Sequence, residues 1–185
     1  MKTIPLCLIG FGNVGQAFAR LLLHKKDDLA KKHEIKFAIT AIATGRHGNA
    51  VCPEGLDLEN ALTLMMKGES LQNLSLVPAP DGIEKILETS AAWAMLENTP
   101  INYQSGQPAL NHIQAALELG MHVVTANKGP VLYGYRSLSR LAAQKEVRFL
   151  FESSVMDGAP IFSLFRKTLP AVKLVGFEGI LNSCT

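Results

Sequence analysis

Ile-Gly-Phe-Gly-Asn-Val-Gly at residues 9–15 is the stretch that decides the fold of this chain. Its three glycines have the G-x-G-x-x-G spacing, and they lie between an apolar run at 4–9 and a helical pattern that follows. Between a strand and a helix, this spacing allows a tight turn and lets a pyrophosphate approach the backbone. The free N–H groups of the helix N-terminus favour a diphosphate, so the stretch predicts a dinucleotide site. The predicted cofactor contacts in it are Gly10, Phe11, Gly12, Asn13, Val14 and Gly15.

Apolar strand-like runs alternate with helical patterns along the rest of the chain. Strands are predicted over residues 4–9, 36–43, 90–96, 121–125, 147–151 and 172–181, and helices over 14–26, 58–67, 82–87, 109–119, 134–145 and 160–169. The glycine-rich residues 45–55 predict a loop. This alternation is typical of an α/β fold with a doubly wound, mostly parallel sheet of Rossmann type. Residues 1–156 are assigned to that dinucleotide-binding domain, and residues 157–185 to the first elements of an incomplete α+β substrate domain.

Composition narrows the class of protein. The chain has 185 residues, 48% of them hydrophobic, and a net charge of +2 without long basic runs. We therefore expect one good core, a small-molecule ligand, and neither a nucleic acid nor a membrane surface as partner. No apolar run reaches the roughly 18 residues that span a bilayer. Three scattered cysteines without a C-x-x-C motif favour a reducing, cytoplasmic compartment.

The residues near the end of the second predicted strand indicate whether NAD or NADP is preferred. Domains of this type that prefer NAD place an acidic residue near the end of that strand, and residues 35–53 contain no Asp or Glu. Thr44 occupies the candidate position, and Arg46 follows it. An arginine there can hold a 2′-phosphate, which favours NADP with NAD as the alternative. The competing interpretation is that Arg46 is a solvated loop residue.

Two further segments carry polar residues where predicted strands end. Lys128 could accept the proton of an alcohol during oxidation, and Asn127 could fix a carboxamide or ribose; a plain turn Lys and Asn is the alternative for both. Glu152 and the loop carbonyls after it could hold a small cation. The alternative there is a loop leading to a helix capped near Asp157 or Gly158, with Pro160 in its first turn.

Taken together, these motifs resemble homoserine dehydrogenase. The matching segments are Gly-Phe-Gly-Asn-Val-Gly at 10–15, Gly-Leu-Asp-Leu at 55–58, Asn-Thr-Pro at 98–100, Ser-Gly-Gln-Pro-Ala-Leu at 105–110, His-Val-Val-Thr-Ala-Asn-Lys-Gly-Pro at 122–130, Phe-Glu-Ser-Ser-Val-Met-Asp-Gly-Ala-Pro at 151–160 and Phe-Glu-Gly-Ile-Leu-Asn-Ser at 177–183. The resemblance runs in order through nearly the whole chain.

The resemblance implies NAD(P)-dependent interconversion of L-homoserine and L-aspartate 4-semialdehyde, a step of threonine and methionine biosynthesis. It implies that Lys128 handles the hydroxyl proton, and that Asn98 and Thr99 lie in the loop on the nicotinamide side. It also implies a monovalent cation such as sodium, bound by the ligands Glu152, Val155, Asp157 and Ala159. The family's substrate and dimerisation domain is expected to be missing here, so a homodimer is expected only for a full-length chain.

Three functions therefore remain open. The first is an enzyme of this type, represented by its cofactor-binding part. The second is a non-catalytic NADP-binding module that lacks its substrate domain. A third is another oxidoreductase of the same fold that acts on a different small substrate.

Overall fold

The structure, a computed structural model, describes residues 1–75, 78–156, 158–169 and 171–179. Within these residues, six strands form one sheet: β1 Lys2–Ile9, β2 Ile35–Ala43, β3 Asn49–Val51, β4 Ala94–Glu97, β5 His122–Thr125 and β6 Phe149–Leu150. Their order in the sheet is β3-β2-β1-β4-β5-β6. Only β3 runs antiparallel to its neighbour, and the other pairs are parallel. This confirms the predicted doubly wound, mostly parallel sheet.

Helices connect the strands and cover both faces of the sheet. Their bounds are α1 Asn13–His33, α2 Leu58–Lys67, α3 Ile83–Ser90, α4 Ala109–Glu118, α5 Lys128–Gln144 and the short α6 Ile161–Ser163. Single 3-10 turns lie at Leu71–Leu74 and Glu152–Ser154, and a π-helical turn at Leu164–Thr168 follows α6. Among the described residues, no helix combines the length and the apolar character needed to cross a membrane.

The central strand β1 is buried on both faces, as parallel sheets covered by helices require. Leu6 and Leu8 point into a cluster that includes α1 and α2 residues. Cys7 and Ile9 point the other way, into a cluster formed with α3, α4 and α5. Burial raises the pKa of the Cys7 thiol to about 12, so this cysteine is a packed apolar residue and not a reactive thiolate.

The structure corrects the predicted start of α5. The sequence pattern places it at residue 134, but the helix begins at Lys128 and is capped by Asn127. Gly129-Pro130 looks like a turn in sequence. Proline is nevertheless tolerated in the first turn of a helix, because the N–H that it lacks has no partner within the helix. Lys128 is therefore the first residue of a helix and not a turn residue.

Other predicted bounds also change. The predicted loop 45–55 contains β3, which pairs with β2. Helix α1 continues to His33 rather than residue 26, with Asp28 within 3.3 Å of Lys32 on its exposed side. Strand β4 begins at Ala94 rather than residue 90, because Ser90 still belongs to α3.

The C-terminal segment differs most from its prediction. The helix predicted over 160–169 is a three-residue helix followed by the π-helical turn. Residues 172–179 of the predicted strand 172–181 form no strand, and residues 180 and 181 lie outside the described part of the chain. A strand needs a neighbour for its backbone hydrogen bonds, and none pairs with these residues in the described structure. Val175 is 96% exposed accordingly.

We predict that Met95→Ala lowers the free energy of unfolding by about 2–5 kcal/mol, because it leaves a cavity in the cluster beneath β4. Met95 is fully buried, whereas Met66 on α2 is 74% exposed. Met66→Ala is the matched control and should change the same quantity by less than about 0.5 kcal/mol. Urea unfolding followed by circular dichroism measures both; equal losses would contradict the assigned core.

Candidate functional site

The site lies where the strand order reverses, between β1 and β4. Ligands of open α/β sheets bind at this point, outside the carboxyl ends of the strands. The chain leaves β1 at Gly10, whose N–H donates to the carbonyl of Ala43 at 2.9 Å. It leaves β4 at Asn98, whose N–H donates to the carbonyl of Ile9 at 2.7 Å. The ends of β2, β1 and β4 are thus joined just below the crevice.

Two of the three glycines are required by close backbone contacts. Gly10 has a φ of +93°, and a Cβ atom on it would lie 2.6 Å from the carbonyl carbon of Asn98. A Cβ atom on Gly15 would lie 2.7 Å from the carbonyl oxygen of Gly10. Both contacts are far shorter than real Cβ contacts, so neither position accepts a side chain without movement of the backbone. They pack α1 and the β4 loop tightly around the turn.

Gly12 is different, because it faces open space. A Cβ atom there would meet nothing within 4 Å, and Gly12 is the N-cap of α1 without a side-chain cap. The first N–H groups of α1 therefore face a cleft of about 960 Å³ without a capping side chain. Five of the six predicted contacts, Gly10, Phe11, Gly12, Asn13 and Val14, line that cleft; Gly15 packs behind it.

The loop after β2 forms one wall of the same cleft. Arg46 is exposed on this wall. Thr44 lines it as well, but its hydroxyl donates to the Gly48 carbonyl at 2.8 Å and accepts from the His47 N–H at 2.8 Å. The Thr44 side chain thus shapes the loop that carries Arg46. Cofactor contacts by either residue stay a prediction.

Two buried nitrogen atoms beside the cleft have no hydrogen-bond partner among the described residues. They are Nδ2 of Asn98 and Nδ1 of His112, and both residues line the cleft. Partial burial lowers the pKa of the His112 imidazole, which favours its neutral form. An unpaired buried polar group costs about 1–3 kcal/mol, so a polar ligand that reaches them would remove that cost. His112 is not among the site residues that the sequence predicts.

A smaller hollow of about 200 Å³ continues the cleft toward α5. Its lining includes Val14, Asn98 and Thr99, which it shares with the cleft, and Asn127 and Lys128 from the start of α5. The predicted proton-handling lysine and the predicted nicotinamide-side loop thus lie around one space.

The Asn127 side chain is used mainly by the protein itself. Its Oδ1 accepts the Gly129 N–H at 3.0 Å, and its Nδ2 donates to the Thr99 carbonyl at 3.1 Å. This agrees with the turn and capping interpretation of Asn127. A direct contact between Asn127 and a ligand stays a prediction.

Glu97, the last residue of β4, is the residue beneath this hollow that the sequence analysis missed. It is completely buried, and its carboxylate accepts hydrogen bonds from Thr99 and Thr125. Burial raises the pKa of the Glu97 carboxyl, while the Thr99 and Thr125 donors act in the opposite direction. The available signal was an acidic residue that ends an otherwise apolar strand.

Three of the predicted cation ligands, Glu152, Val155 and Ala159, line neither of these spaces. Ser163 donates to the Glu152 carboxylate from its N–H at 3.0 Å and from its hydroxyl at 2.8 Å. These two bonds lower the pKa of the Glu152 carboxyl. Val155 and Ala159 follow in the chain, and Asp157 lies outside the described residues. The described part of the chain contains no cluster of three His, Cys, Asp or Glu side chains able to hold a metal ion.

Comparison with known proteins gives one consistent family. Residues 10–152 match the family model described as "Homoserine dehydrogenase, NAD binding domain". Homoserine dehydrogenase of Methanocaldococcus jannaschii is 34% identical over 182 residues, which cover 98% of this chain and 54% of that protein. NAD(+)-dependent homoserine dehydrogenase of Pseudomonas canavaninivorans is 31% identical, covering 98% and 52%. The chain thus spans about half the length of these relatives.

A solved structure gives the same fold. It is a hyperthermophilic archaeal homoserine dehydrogenase in complex with NADPH, 26% identical, with a TM-score of 0.74. The match covers 91% of this chain and 49% of that one. The NADPH is bound to that protein.

We predict that Gly10→Ala destabilises the fold, whereas Gly12→Ala does not. The Gly10 variant combines a left-handed φ with a backbone clash, and we expect it to lose about 2–4 kcal/mol of unfolding free energy. The Gly12 variant should lose less than about 1 kcal/mol, since its methyl group enters open space. Thermal and urea unfolding measure both; similar losses would contradict the described turn.

Proposed function

This chain belongs to the homoserine dehydrogenase family, whose NAD-binding domain it matches, and we propose that it binds NADP(H) in the cleft between β1 and β4. One observation carries the proposal. The cleft has at its base a glycine turn in which Gly10 permits the close backbone packing, while Gly12 leaves the N-terminus of α1 open. That arrangement suits a diphosphate, because unpaired N–H groups and the helix dipole both favour negative charge.

The residues present fit a dinucleotide along the whole length of the cleft. The diphosphate would lie on Gly12 and Asn13, and the adenosine end beside Thr44 and Arg46. The nicotinamide end would extend toward the hollow at Lys128. The unpartnered nitrogen atoms of Asn98 and His112 supply polar groups that no described side chain satisfies, as a site for a polar ligand requires.

NADP is preferred over NAD in this proposal. Arg46 is exposed on the wall formed by the loop after β2, and that loop carries no carboxylate that would accept a ribose diol. A guanidinium can bind a 2′-phosphate through two charge-assisted hydrogen bonds. One relative is described as NAD(+)-dependent and one solved relative holds NADPH, so family membership alone leaves the choice open.

We further propose the family reaction, the interconversion of L-homoserine and L-aspartate 4-semialdehyde, with Lys128 as the residue that moves the hydroxyl proton. When bound, the nicotinamide supplies hydride transfer to or from the substrate carbon. Lys128 lies at the N-terminus of α5 and lines the hollow that continues the cleft. Its amine would take the hydroxyl proton in the oxidising direction and return it in the other.

The predicted monovalent cation is not included in this proposal. Both oxygens of Glu152 accept hydrogen bonds from Ser163, and one of the predicted ligands, Asp157, lies outside the described residues. The cation and its ligand set Glu152, Val155, Asp157 and Ala159 therefore stay a prediction from the sequence. The homodimer, the two-domain division at residue 156 and the cytoplasmic location likewise remain predictions from the sequence.

A second candidate function is a cofactor-binding module without turnover. It is favoured by the match of residues 10–152 to a family model described as an NAD binding domain. Turnover requires in addition that the substrate be placed to a fraction of an ångström. The two candidates share the cofactor site and differ only in Lys128-dependent turnover.

We predict that the wild-type chain binds NADPH about tenfold or more tightly than NADH, and that Arg46→Ala abolishes this difference. Loss of the guanidinium should weaken NADPH and leave NADH unchanged. Titration of each nucleotide by its own fluorescence measures the dissociation constants. Arg140→Ala on the exposed side of α5 is the matched control. Absence of NADPH binding would overturn the proposed function; equal affinities in all proteins would overturn only the role of Arg46.

We predict that Lys128→Ala lowers the rate of NADPH-dependent reduction of L-aspartate 4-semialdehyde by about 10²–10⁴-fold, because the proton transfer is lost. NADPH affinity should change much less. Lys145→Ala, at the C-cap of α5, controls for removal of a lysine from an end of this helix. NADPH oxidation followed by absorbance measures the rate. Binding of NADPH without any Lys128-dependent rate would favour the module without turnover.

A further inference from the structure

Glu97 is a buried acid that the proposed function does not yet explain. Among the described residues it is the one fully buried residue with an ionisable acidic side chain. A carboxyl group in such a place is costly unless hydrogen bonds satisfy its oxygens. Glu97 also lies where the pairing of β4 and β5 ends, because it is opposite Thr125 in the final pair of their ladder.

The Glu97 carboxyl group connects the two loops that leave β4 and β5. One oxygen, Oε1, accepts the Thr99 N–H at 2.9 Å and also the Thr99 hydroxyl. The other oxygen, Oε2, is 3.0 Å from the hydroxyl of Thr125. Thr99 lines the cleft and the hollow, whereas Thr125 lies on the strand that leads to Lys128.

From Thr125 the connection continues to the start of α5. The Thr125 hydroxyl oxygen accepts the Asn127 N–H at 3.0 Å. Asn127 then donates from Nδ2 to the Thr99 carbonyl at 3.1 Å, which closes a ring of hydrogen bonds, and its Oδ1 caps α5. Lys128 is the next residue, between the ring member Asn127 and Gly129, whose N–H donates to Asn127 Oδ1.

The ring can remain intact whether or not the carboxyl group carries a proton. The Thr125 hydroxyl is 3.0 Å from Oε2 and 3.1 Å from the Glu97 carbonyl oxygen. If Glu97 is ionised, the hydroxyl donates to the carboxylate. If Glu97 is protonated, the carboxyl group can donate to the hydroxyl, which then donates to the carbonyl oxygen.

The ring also joins residues that lie beyond the last backbone hydrogen bonds of the sheet. Strand pairing holds β4 to β5 as far as Glu97 and Thr125, and residues 98–100 and 126–128 have no ladder bonds between them. Apart from the ring, these two loops are free of direct hydrogen bonds to one another among the described residues. The hollow proposed for the nicotinamide lies between these two loops.

We propose that Glu97 is a positioning residue that fixes the loop at Asn98-Thr99 relative to Lys128 through the ring formed with Thr125 and Asn127. This inference rests on the proposed function, because it assigns the ring to the nicotinamide end of the cofactor cleft. The adenosine end would lie beside the loop after β2, to which the ring residues make no hydrogen bond in the described structure.

Two ligands separate the ends of the cleft in an experiment. NADPH occupies both ends, whereas adenosine 2′,5′-bisphosphate has no nicotinamide. Glu97→Ala should weaken NADPH by about tenfold, the scale of one lost charge-assisted hydrogen bond, and leave the bisphosphate within twofold. Glu97→Gln should restore most of the NADPH affinity, because its amide can accept from Thr99 and donate to the Thr125 hydroxyl. Isothermal titration measures both ligands, and equal losses of both would mean a merely structural role.

A matched pair of variants removes the ring without touching Glu97. Thr125 and Thr40 are both fully buried strand residues whose hydroxyl oxygens lie within hydrogen-bond distance of a backbone carbonyl, 3.1 Å from that of Glu97 and 3.3 Å from that of Leu6. Thr125→Val breaks the ring, whereas Thr40→Val removes a comparable bond far from it. Only Thr125→Val should weaken NADPH, again by about tenfold. If Glu97→Ala fails to fold, this pair of variants still tests whether loss of the ring weakens NADPH binding.

Amide hydrogen exchange tests the ring without any ligand. The Thr99 and Asn127 amides should exchange at least tenfold faster in Thr125→Val than in wild type and be unchanged in Thr40→Val. Unchanged exchange in Thr125→Val would overturn the inference. If wild type binds neither nucleotide, the proposed function fails, and the exchange result still decides whether Glu97 holds the two loops together.

Discussion

The contact between Gly10 and the Asn98–Thr99 peptide is the constraint on which the rest of the site depends. At Gly10 the backbone has a left-handed φ and approaches the β4 loop so closely that a methyl group would overlap it. This approach brings the ends of β1 and β4 together at the point where the strand order reverses. The open N-terminus of α1, the cleft and the adjoining hollow all border on this junction.

The residues around that junction form two layers. A first layer of backbone N–H groups and exposed side chains, among them Gly12 and Arg46, faces the cleft. A second layer holds the first in place: Thr44 shapes the loop of Arg46, and Glu97, Thr125 and Asn127 join the loops beside Lys128. Ligand geometry at such sites depends on the second layer, because loops beyond the end of a sheet have no ladder bonds to hold them.

The C-terminal segment has a different character. Glu152, predicted as a cation ligand, binds the N–H and hydroxyl of Ser163 and thereby holds α6 against the sheet. Phe162 of α6 packs with its ring centroid 4.9 Å from that of Phe151. Beyond α6 the described residues are largely exposed, and Phe177 is 72% accessible. In the described part of the chain, the last partly buried residues therefore belong to α6.

By itself, the sequence determined five of the six strands, the order of the helices α1 to α5 and the residues at the glycine turn, but not β3. Those features follow from local rules: apolar runs, helical periodicity, and three glycines at a fixed spacing between a strand and a helix. They were predictable because each depends on residues close together in the chain. The family resemblance rested on the same segments.

The tertiary structure alone decided which polar residues meet. Glu97 and Thr125 are 28 positions apart in sequence, and their contact exists only because β4 and β5 pair in one register. The unpartnered nitrogen of His112 likewise depends on where α4 packs beside the cleft. The start of α5 at Lys128 was also visible only in the structure, where Asn127 caps the helix, because a Gly-Pro pair in a sequence is typical of a turn. The Glu97–Thr125 contact and the packing of α4 beside the cleft join distant parts of the chain, and no local pattern encodes them.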